Sequence, residues 1–196
     1  MHGPFVLRPL ARIGHASLNP APMTAPLTAP NTAASVLDTH FDDLEHEFAS
    51  TRRLLERFPA GHADWKPHEK SMTLAGLASH IATLPRFVTF MMAGDSHDML
   101  TSPRPAVGRT AEELVRLFDE SAAAARAGLA GASAEQMGTT WQLRAGPQVF
   151  LEDRRGKLMR QHLVSHAAHH RGQLTVYYRM LGVPVPGLYG PSADER

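Results

Sequence analysis

The sequence predicts an all-α protein: a four-helix bundle that follows a disordered N-terminal tail and carries a short hairpin-like excursion before its last helix. Four long segments repeat apolar residues every three or four positions, as one buried face of an α-helix requires. Proline and glycine separate these segments. The chain has 196 residues and a hydrophobic content of 43%, which is enough for one packed core.

Residues 1–34 form the predicted tail, rich in proline and alanine, and residues 35–196 form the predicted bundle domain. Prolines this frequent prevent a regular helix or strand. The tail holds Arg8 and Arg12 and no acidic residue, a composition also found in targeting segments. We favour an untranslated or tag-like extension with Met23 as the true start, because the prolines prevent an amphipathic helix.

The composition excludes several classes of protein. There is no cysteine, so a disulfide framework, a thiolate zinc site and a cysteine nucleophile are all excluded, and histidine is the remaining borderline metal ligand. A net charge of +1 speaks against a nucleic-acid partner. No apolar run approaches the roughly 18–20 residues of a membrane span. We expect a cytoplasmic protein that acts on a small molecule, with neither nucleic acid nor membrane as partner.

The first predicted helix spans residues 36–58. Its apolar side chains recur in steps of three, four and seven and form one stripe: Leu37, Phe41, Leu44, Phe48, Leu55 and Phe58. His40 and Glu47 lie at the border of this stripe. Border polar residues either face a site or, more commonly, face solvent.

The second predicted helix begins after Thr73 as N-cap and ends near Gly94. Pro85 removes a backbone hydrogen bond in its middle and should kink it. His80 follows Leu77 by three residues and points inward with the apolar stripe. Because burying an unpaired polar group costs about 1–3 kcal/mol, His80 needs a partner. Considered alone, it is best explained as a hydrogen-bonded core histidine.

An irregular connection is predicted over residues 95–109. The third helix then starts at a capping box formed by Thr110 and Glu113. Alanines fill much of its inner face, which lets a neighbouring helix approach closely. We expect this helix to close at Gly128.

Residues 139–143 and 148–151 are predicted to be the two arms of a hairpin. The fourth helix should span residues 153–181, followed by Gly182 as the terminating glycine. The closing segment is rich in proline and glycine and therefore not helical. We expect Tyr189 to fold back from it onto the bundle.

The fourth helix carries His162, His166 and His170 at positions i, i+4 and i+8, about one turn apart on one face. At about 100° per residue, the apolar stripe centres near His170 and has His166 at its edge, which leaves His162 and His169 at the rim or in solvent. Two inward histidines one turn apart, with His80 inward on another helix, favour a metal ion over a hydrogen-bonded polar cluster.

His80, His166 and His170 are therefore the predicted metal ligands, while catalytic residues stay unassigned. Three protein ligands leave an open coordination position for water or substrate, as in catalytic or ligand-binding sites. Imidazole suits zinc, nickel, copper and iron alike. The spacing is not that of the zincin metalloproteases, because Ala167 stands where those enzymes carry their glutamate base. By helical position alone, the candidates for a proton acceptor are Gln173, Glu47 and His162.

These residues resemble the DinB-like (damage-inducible) four-helix metalloprotein superfamily. The resemblance rests on His80 within TLAGLASHIA, on HAAHHRGQ over residues 166–173, on DWKP over residues 64–67, and on the closing LGVPVP and YGPSADE. It covers roughly residues 36–195. It implies a four-helix bundle, often a homodimer, with the same three histidines as ligands of a divalent metal near one end.

The resemblance implies a class of chemistry and no single reaction. Some members are metal-dependent transferases or isomerases that use a low-molecular-weight thiol such as bacillithiol or mycothiol, and others have been labelled hydrolases. The leading expectation is a thiol transferase that holds zinc or nickel and takes the thiol at the open position. The alternatives are a metal-dependent hydrolase, or a non-enzymatic metal-binding stress-response module whose open position is capped by a carboxylate. Arg171 lies about 80° from the stripe centre, so we expect it to be structural.

Overall fold

The computed structural model describes residues 35–103 and 105–195, without the side chains of residues 37 and 38. The predicted disordered tail over residues 1–34 lies outside the described residues. The described chain is mainly helical, as predicted, but it also contains a three-stranded mixed sheet, which corrects the all-α class. No helix in the described ranges is long and apolar enough to cross a membrane.

The first predicted helix is divided into α1 (Val36–His40) and α2 (Leu44–Leu55). Arg160 donates hydrogen bonds to the carbonyl oxygen of His40 at 2.7 Å and to the carboxylate of Asp43 at 2.8 Å. The Arg160 side chain thus occupies the His40 carbonyl, which would otherwise accept a hydrogen bond within a continuous helix. Helix α1 therefore ends at His40, and α2 begins at Leu44. The apolar stripe is nevertheless buried at its five described positions: Phe41, Leu44, Phe48, Leu55 and Phe58.

The second predicted helix is present as α3 (Leu74–Thr83) and α4 (Phe87–Ala93), joined by a 3₁₀ turn over Leu84–Arg86. The interruption falls at Pro85, as predicted, because proline cannot donate the backbone hydrogen bond. The N-cap is confirmed as well, since the Thr73 hydroxyl accepts a hydrogen bond from the backbone N–H three residues later at 3.1 Å.

The third predicted helix, α5 (Ala111–Ala130), has the predicted N-cap Thr110 but extends beyond Gly128. A Cβ atom at Gly128 would lie 2.9 Å from Cγ1 of Val88. The glycine therefore allows close approach of α4 to α5 instead of ending the helix. A short helix, α6 (Ala134–Gly138), follows with its own capping box.

The predicted hairpin is confirmed as β2 (Thr140–Ala145) and β3 (Gln148–Arg154), which pair antiparallel around a turn with Gly146 at φ 56°. A third strand, β1 (Ser96–Asp98), pairs parallel to β2. Residues 95–109 were predicted to be irregular, and this strand is a correction. Three residues are too few to show the two-residue alternation that identifies a strand in a sequence.

The fourth predicted helix begins at residue 155, since β3 extends to residue 154. It consists of α7 (Arg155–Arg160), a π-helical segment over Gln161–His166, and α8 (Ala167–Met180). Gly182, at φ 70°, follows its end as predicted. Helix α3 packs against α2, α5 and α8, so the core lies between elements from all four predicted helical regions.

Candidate metal centre

Three histidine side chains from two helical regions converge beside the core. His80 lies in α3, His166 ends the π-helical segment, and His170 lies one turn later in α8. The Nε2 atom of His166 is 3.1 Å from the Nε2 atom of His80 and 3.1 Å from that of His170. All three side chains are half-buried. The structure therefore brings together the three residues that the sequence predicted as ligands.

The protonation of these rings fits a cation better than a hydrogen-bonded cluster. A neutral imidazole carries one N–H. Nδ1 of His170 lies 2.7 Å from Oε1 of Gln173, an acceptor, so Nδ1 holds the proton and Nε2 presents a lone pair. The Nε2 atom of His166 has at most one proton and cannot bond to both neighbours. Tetrahedral zinc with Zn–N bonds of about 2.0–2.1 Å separates its ligand atoms by about 3.3–3.4 Å, close to the two separations of 3.1 Å that involve His166, and all three nitrogens lie within 4.8 Å of one another.

Burial keeps the three imidazoles uncharged. Burial, and after it the proximity of His170, lowers the pKa of His80 and of His166 from 6.5 to about 4. The pKa of His170 is also lowered, again chiefly by burial. At neutral pH all three rings are therefore in the unprotonated form that binds metal.

Glu47, a predicted border residue, is buried in the core instead of joining the histidines. Its carboxylate accepts a hydrogen bond from buried Arg171 and another, at 2.9 Å, from the hydroxyl of Tyr189. This confirms the structural role of Arg171 and the return of Tyr189 onto the helices. His40, the other border residue, is exposed. Within the described part of the chain, no carboxylate joins the three-histidine cluster.

His162 corrects the helical-wheel prediction, which placed it at the rim or in solvent. It is buried, with Nδ1 3.2 Å from the carbonyl oxygen of Leu158 and its ring stacked on Phe87 at 4.1 Å between centroids. The π-helical segment explains the error. Its hydrogen bonds run from i to i+5, so a turn holds more than 3.6 residues and a wheel drawn at 100° per residue misplaces His162. His169 is exposed, as predicted.

The cluster adjoins a cleft with a volume of about 280 Å³, to which His80 and His166 contribute. Two residues of the predicted irregular connection, His97 and Ser102, also line it, and Nε2 of His97 is hydrogen-bonded to Oγ of Ser102. Burial lowers the pKa of His97. Sequence reasoning missed both residues, because no periodicity or motif marks a strand of three residues and the loop after it.

The model of the DinB family matches this chain over residues 35–196. The chain belongs to the DinB family. The matched region contains every helix and strand described above and all three histidines of the cluster.

Three solved structures resemble this DinB chain in fold. A DinB-like protein from Bacillus cereus has a TM-score of 0.61 and 20% identity over 78% of this chain and 97% of its own. A DinB-like protein from Bacillus subtilis has a TM-score of 0.57 and 20% identity, and the match covers 79% of this chain and 96% of the other. A third, from Exiguobacterium sibiricum, has a TM-score of 0.52 and 21% identity, and the match covers 82% of this chain and 95% of the other. These identities establish a shared fold and carry no information about the reaction.

The uncharacterized protein YrdA of Bacillus subtilis is a further relative. It is 54% identical over 33 residues, which are 17% of this DinB chain and 20% of YrdA. The alignment thus spans a fifth of that relative's length.

Proposed function

We propose that this DinB protein holds a divalent metal ion, zinc or nickel, on the Nε2 atoms of His80, His166 and His170, and that it is an enzyme of the low-molecular-weight-thiol transferase type. The observation that carries the proposal is the convergence of three histidine ring nitrogens beside a cleft. A divalent ion there supplies Lewis acidity and lowers the pKa of a thiol or water molecule that reaches it.

The protein's own groups have three roles in this proposal. Gln173 orients the ring of His170 by accepting from Nδ1, which keeps Nε2 directed at the ion. The cleft, whose surface is mainly apolar, holds the second substrate. His97, whose pKa burial lowers, lines the same cleft and is available to accept the proton that the thiol loses.

Two alternatives differ in what occupies the open position. A non-enzymatic metal-binding stress-response module would cap it with a carboxylate. No such group joins the cluster in the described ranges, and Glu47 is engaged by Arg171 and Tyr189, so we prefer an enzyme. A hydrolase would use water in place of the thiol, and the same three nitrogens serve it equally well.

The family resemblance adds further parts to the proposal, namely a four-helix-bundle arrangement, a homodimer and a cytoplasmic location. Sedimentation velocity of the purified chain tests the homodimer, because a monomer mass at micromolar concentration contradicts it.

Metal content tests the site. We expect about one equivalent of metal by elemental analysis in the wild type, and loss of nearly all of it in the triple variant His80→Ala, His166→Ala, His170→Ala. The matched control is His169→Ala, which removes an exposed neighbouring histidine and should retain metal. Stoichiometric metal in the triple variant would mean that the ligand assignment is wrong. Loss of metal without a change in melting temperature would show that the metal serves function and not folding.

The reaction type is tested on zinc- and nickel-loaded protein. Thiol consumption in the presence of a small electrophile is followed in parallel with hydrolysis of an activated ester, using wild type, His166→Ala and His169→Ala. The thiol transferase proposal expects metal-dependent thiol consumption in the wild type and in His169→Ala, and its loss in His166→Ala. Ester hydrolysis without thiol consumption would instead establish the hydrolase.

A further inference from the structure

The surface of the cleft beside the histidine cluster is mainly apolar, although Arg86 also lines it. Phe87 and Phe90 of α4 line it together with Leu84, Met99 and two prolines of the loop after β1. Its volume of about 280 Å³ is nearly twice the roughly 150 Å³ of an apolar protein cavity that takes up one benzene molecule. The cleft is therefore of a size to hold two fused rings.

Two stacked ring pairs give this cleft flat walls. Phe87 lies parallel to His162, with 4.1 Å between ring centroids and 4° between planes. Phe90 lies nearly parallel to His97, with 4.0 Å between ring centroids and 14° between planes. The planes of Phe87 and Phe90 are nearly perpendicular, at 84°. One face of each phenylalanine is covered by its histidine, and the ring surface that lines the cleft can stack on a flat ligand ring or meet its edge, which are the two preferred arrangements of aromatic pairs.

A hydrogen-bonding pair is placed among these apolar walls. Ser102 and His97 both line the cleft and are bonded to each other. The His97 ring is held by its stack on Phe90, so the pair has a defined position. A serine hydroxyl has one donor and two acceptor lone pairs, so Ser102 retains the capacity to bond a polar substituent of a ligand.

We infer that this cleft binds the aromatic part of the substrate: a compact, flat molecule of one or two fused rings with a polar substituent that contacts Ser102 and His97. The inference rests on the proposed function in one respect, because the cleft also exposes His80 and His166 and so places the ligand next to the ion. It adds that the group acted on is aromatic, where the proposed function specifies only a thiol and an electrophile.

The test compares 2-naphthol with 2-decalol, its saturated and non-planar counterpart, by ligand-detected NMR titration of the whole chain in metal-free and zinc-loaded form. We expect 2-naphthol to bind at least about tenfold more tightly than 2-decalol in both forms. Equal affinity, or no binding of 2-naphthol in either form, overturns the inference. This comparison uses wild-type protein and does not depend on a variant that folds.

Two variants locate the binding. Phe90→Leu keeps an apolar side chain but removes a ring, and we expect it to weaken 2-naphthol binding about threefold to tenfold. The matched control, Phe150→Leu, changes an exposed phenylalanine of β3 that does not line the cleft and should leave binding unchanged. Ser102→Ala should reduce the preference for 2-naphthol over naphthalene about threefold to tenfold. Equal effects of Phe90→Leu and Phe150→Leu would place the ligand elsewhere and refute the inference.

Failure of the inference and failure of the proposed function give different results. If 2-naphthol binds as expected while the wild type takes up no metal, the metal-dependent function is wrong and the aromatic cleft stands. If metal binds stoichiometrically and 2-naphthol does not bind, the metal site stands and the aromatic substrate class is refuted.

Discussion

The buried ion pair between Glu47 and Arg171 leads to a quantitative prediction about stability. The two side chains are 5% and 1% exposed. Arg171 also donates to Oγ1 of Thr51 at 2.8 Å, and Tyr189 donates to the Glu47 carboxylate. The replacement Glu47→Gln keeps the shape but leaves the guanidinium buried without a counter-charge. Breaking a buried pair in this way costs about 3–5 kcal/mol.

Thermal unfolding of metal-free protein, followed by circular dichroism, measures this cost. For a chain of this size, 1 kcal/mol corresponds to about 2–4 °C in melting temperature, so Glu47→Gln should lower it by about 6–20 °C. The matched control is Glu45→Gln on the same helix, which breaks an exposed pair with Arg126. Exposed pairs contribute about 0–1 kcal/mol, so the control should shift the melting temperature by no more than about 4 °C.

A double replacement separates charge burial from packing. Glu47→Leu with Arg171→Met removes both charges and fills the space with apolar atoms, and such replacements are often neutral or stabilising. We therefore expect the double variant to be clearly more stable than Glu47→Gln. If Glu47→Gln melts within about 2 °C of the wild type, or if the double variant is no better than the single one, the reasoning from charge burial is refuted.

Three further predictions concern the metal centre and the helix packing. Gln173→Leu should weaken zinc binding about 10- to 100-fold in chelator competition, and an unchanged affinity would show that its hydrogen bond does not orient the ligand. Gly128→Ala should destabilise the fold by about 1–3 kcal/mol in urea unfolding, because its Cβ lies 2.9 Å from Val88, and Val88→Ala should restore part of this loss. In metal-free protein the pKa values of His80 and His166, about 4 when folded and 6.5 when unfolded, mean that the unfolded state binds more protons below pH 6.5. The stability present above pH 6.5 should therefore fall as the pH drops toward 4, and urea midpoints should show a weaker fall when both histidines are replaced by alanine.

The sequence was sufficient for the features that depend on repetition or on one residue's own chemistry. The apolar stripes predicted the helical regions, Thr73 and Thr110 predicted helix starts, and Pro85 predicted an interruption. His80 and the pair on the last helix were found because a polar residue on an apolar stripe is visible in the sequence alone. These signals are local, so no knowledge of distant contacts was needed.

The missed features depend on contacts that are distant in sequence. The break after α1 is made by Arg160, which lies 120 residues away from the carbonyl that it binds. Gly128 predicts the end of a helix when the sequence is considered alone, but in the structure it lies against Val88 within a continuous helix. His97 lies in β1, which pairs with the distant strand β2, and Ser102 lies in the loop after β1. In each case a local rule gave the wrong answer where a tertiary contact outweighed it.

Two irregularities of the helices meet at the histidine cluster, and we conclude that they help to form it. The 3₁₀ turn at Leu84–Arg86 lies one turn after His80, and Phe87, which follows it directly, lines the cleft. The π-helical segment ends at His166 and turns the ring of His162 onto Phe87. In a regular α-helix, the helical wheel places His162 at the rim of the apolar face. The cleft would then lack the stacked pair of Phe87 and His162. Segments of π-helix are rare and frequently mark functional sites, and here the departure from regular geometry is found where three imidazoles and an aromatic cleft must meet.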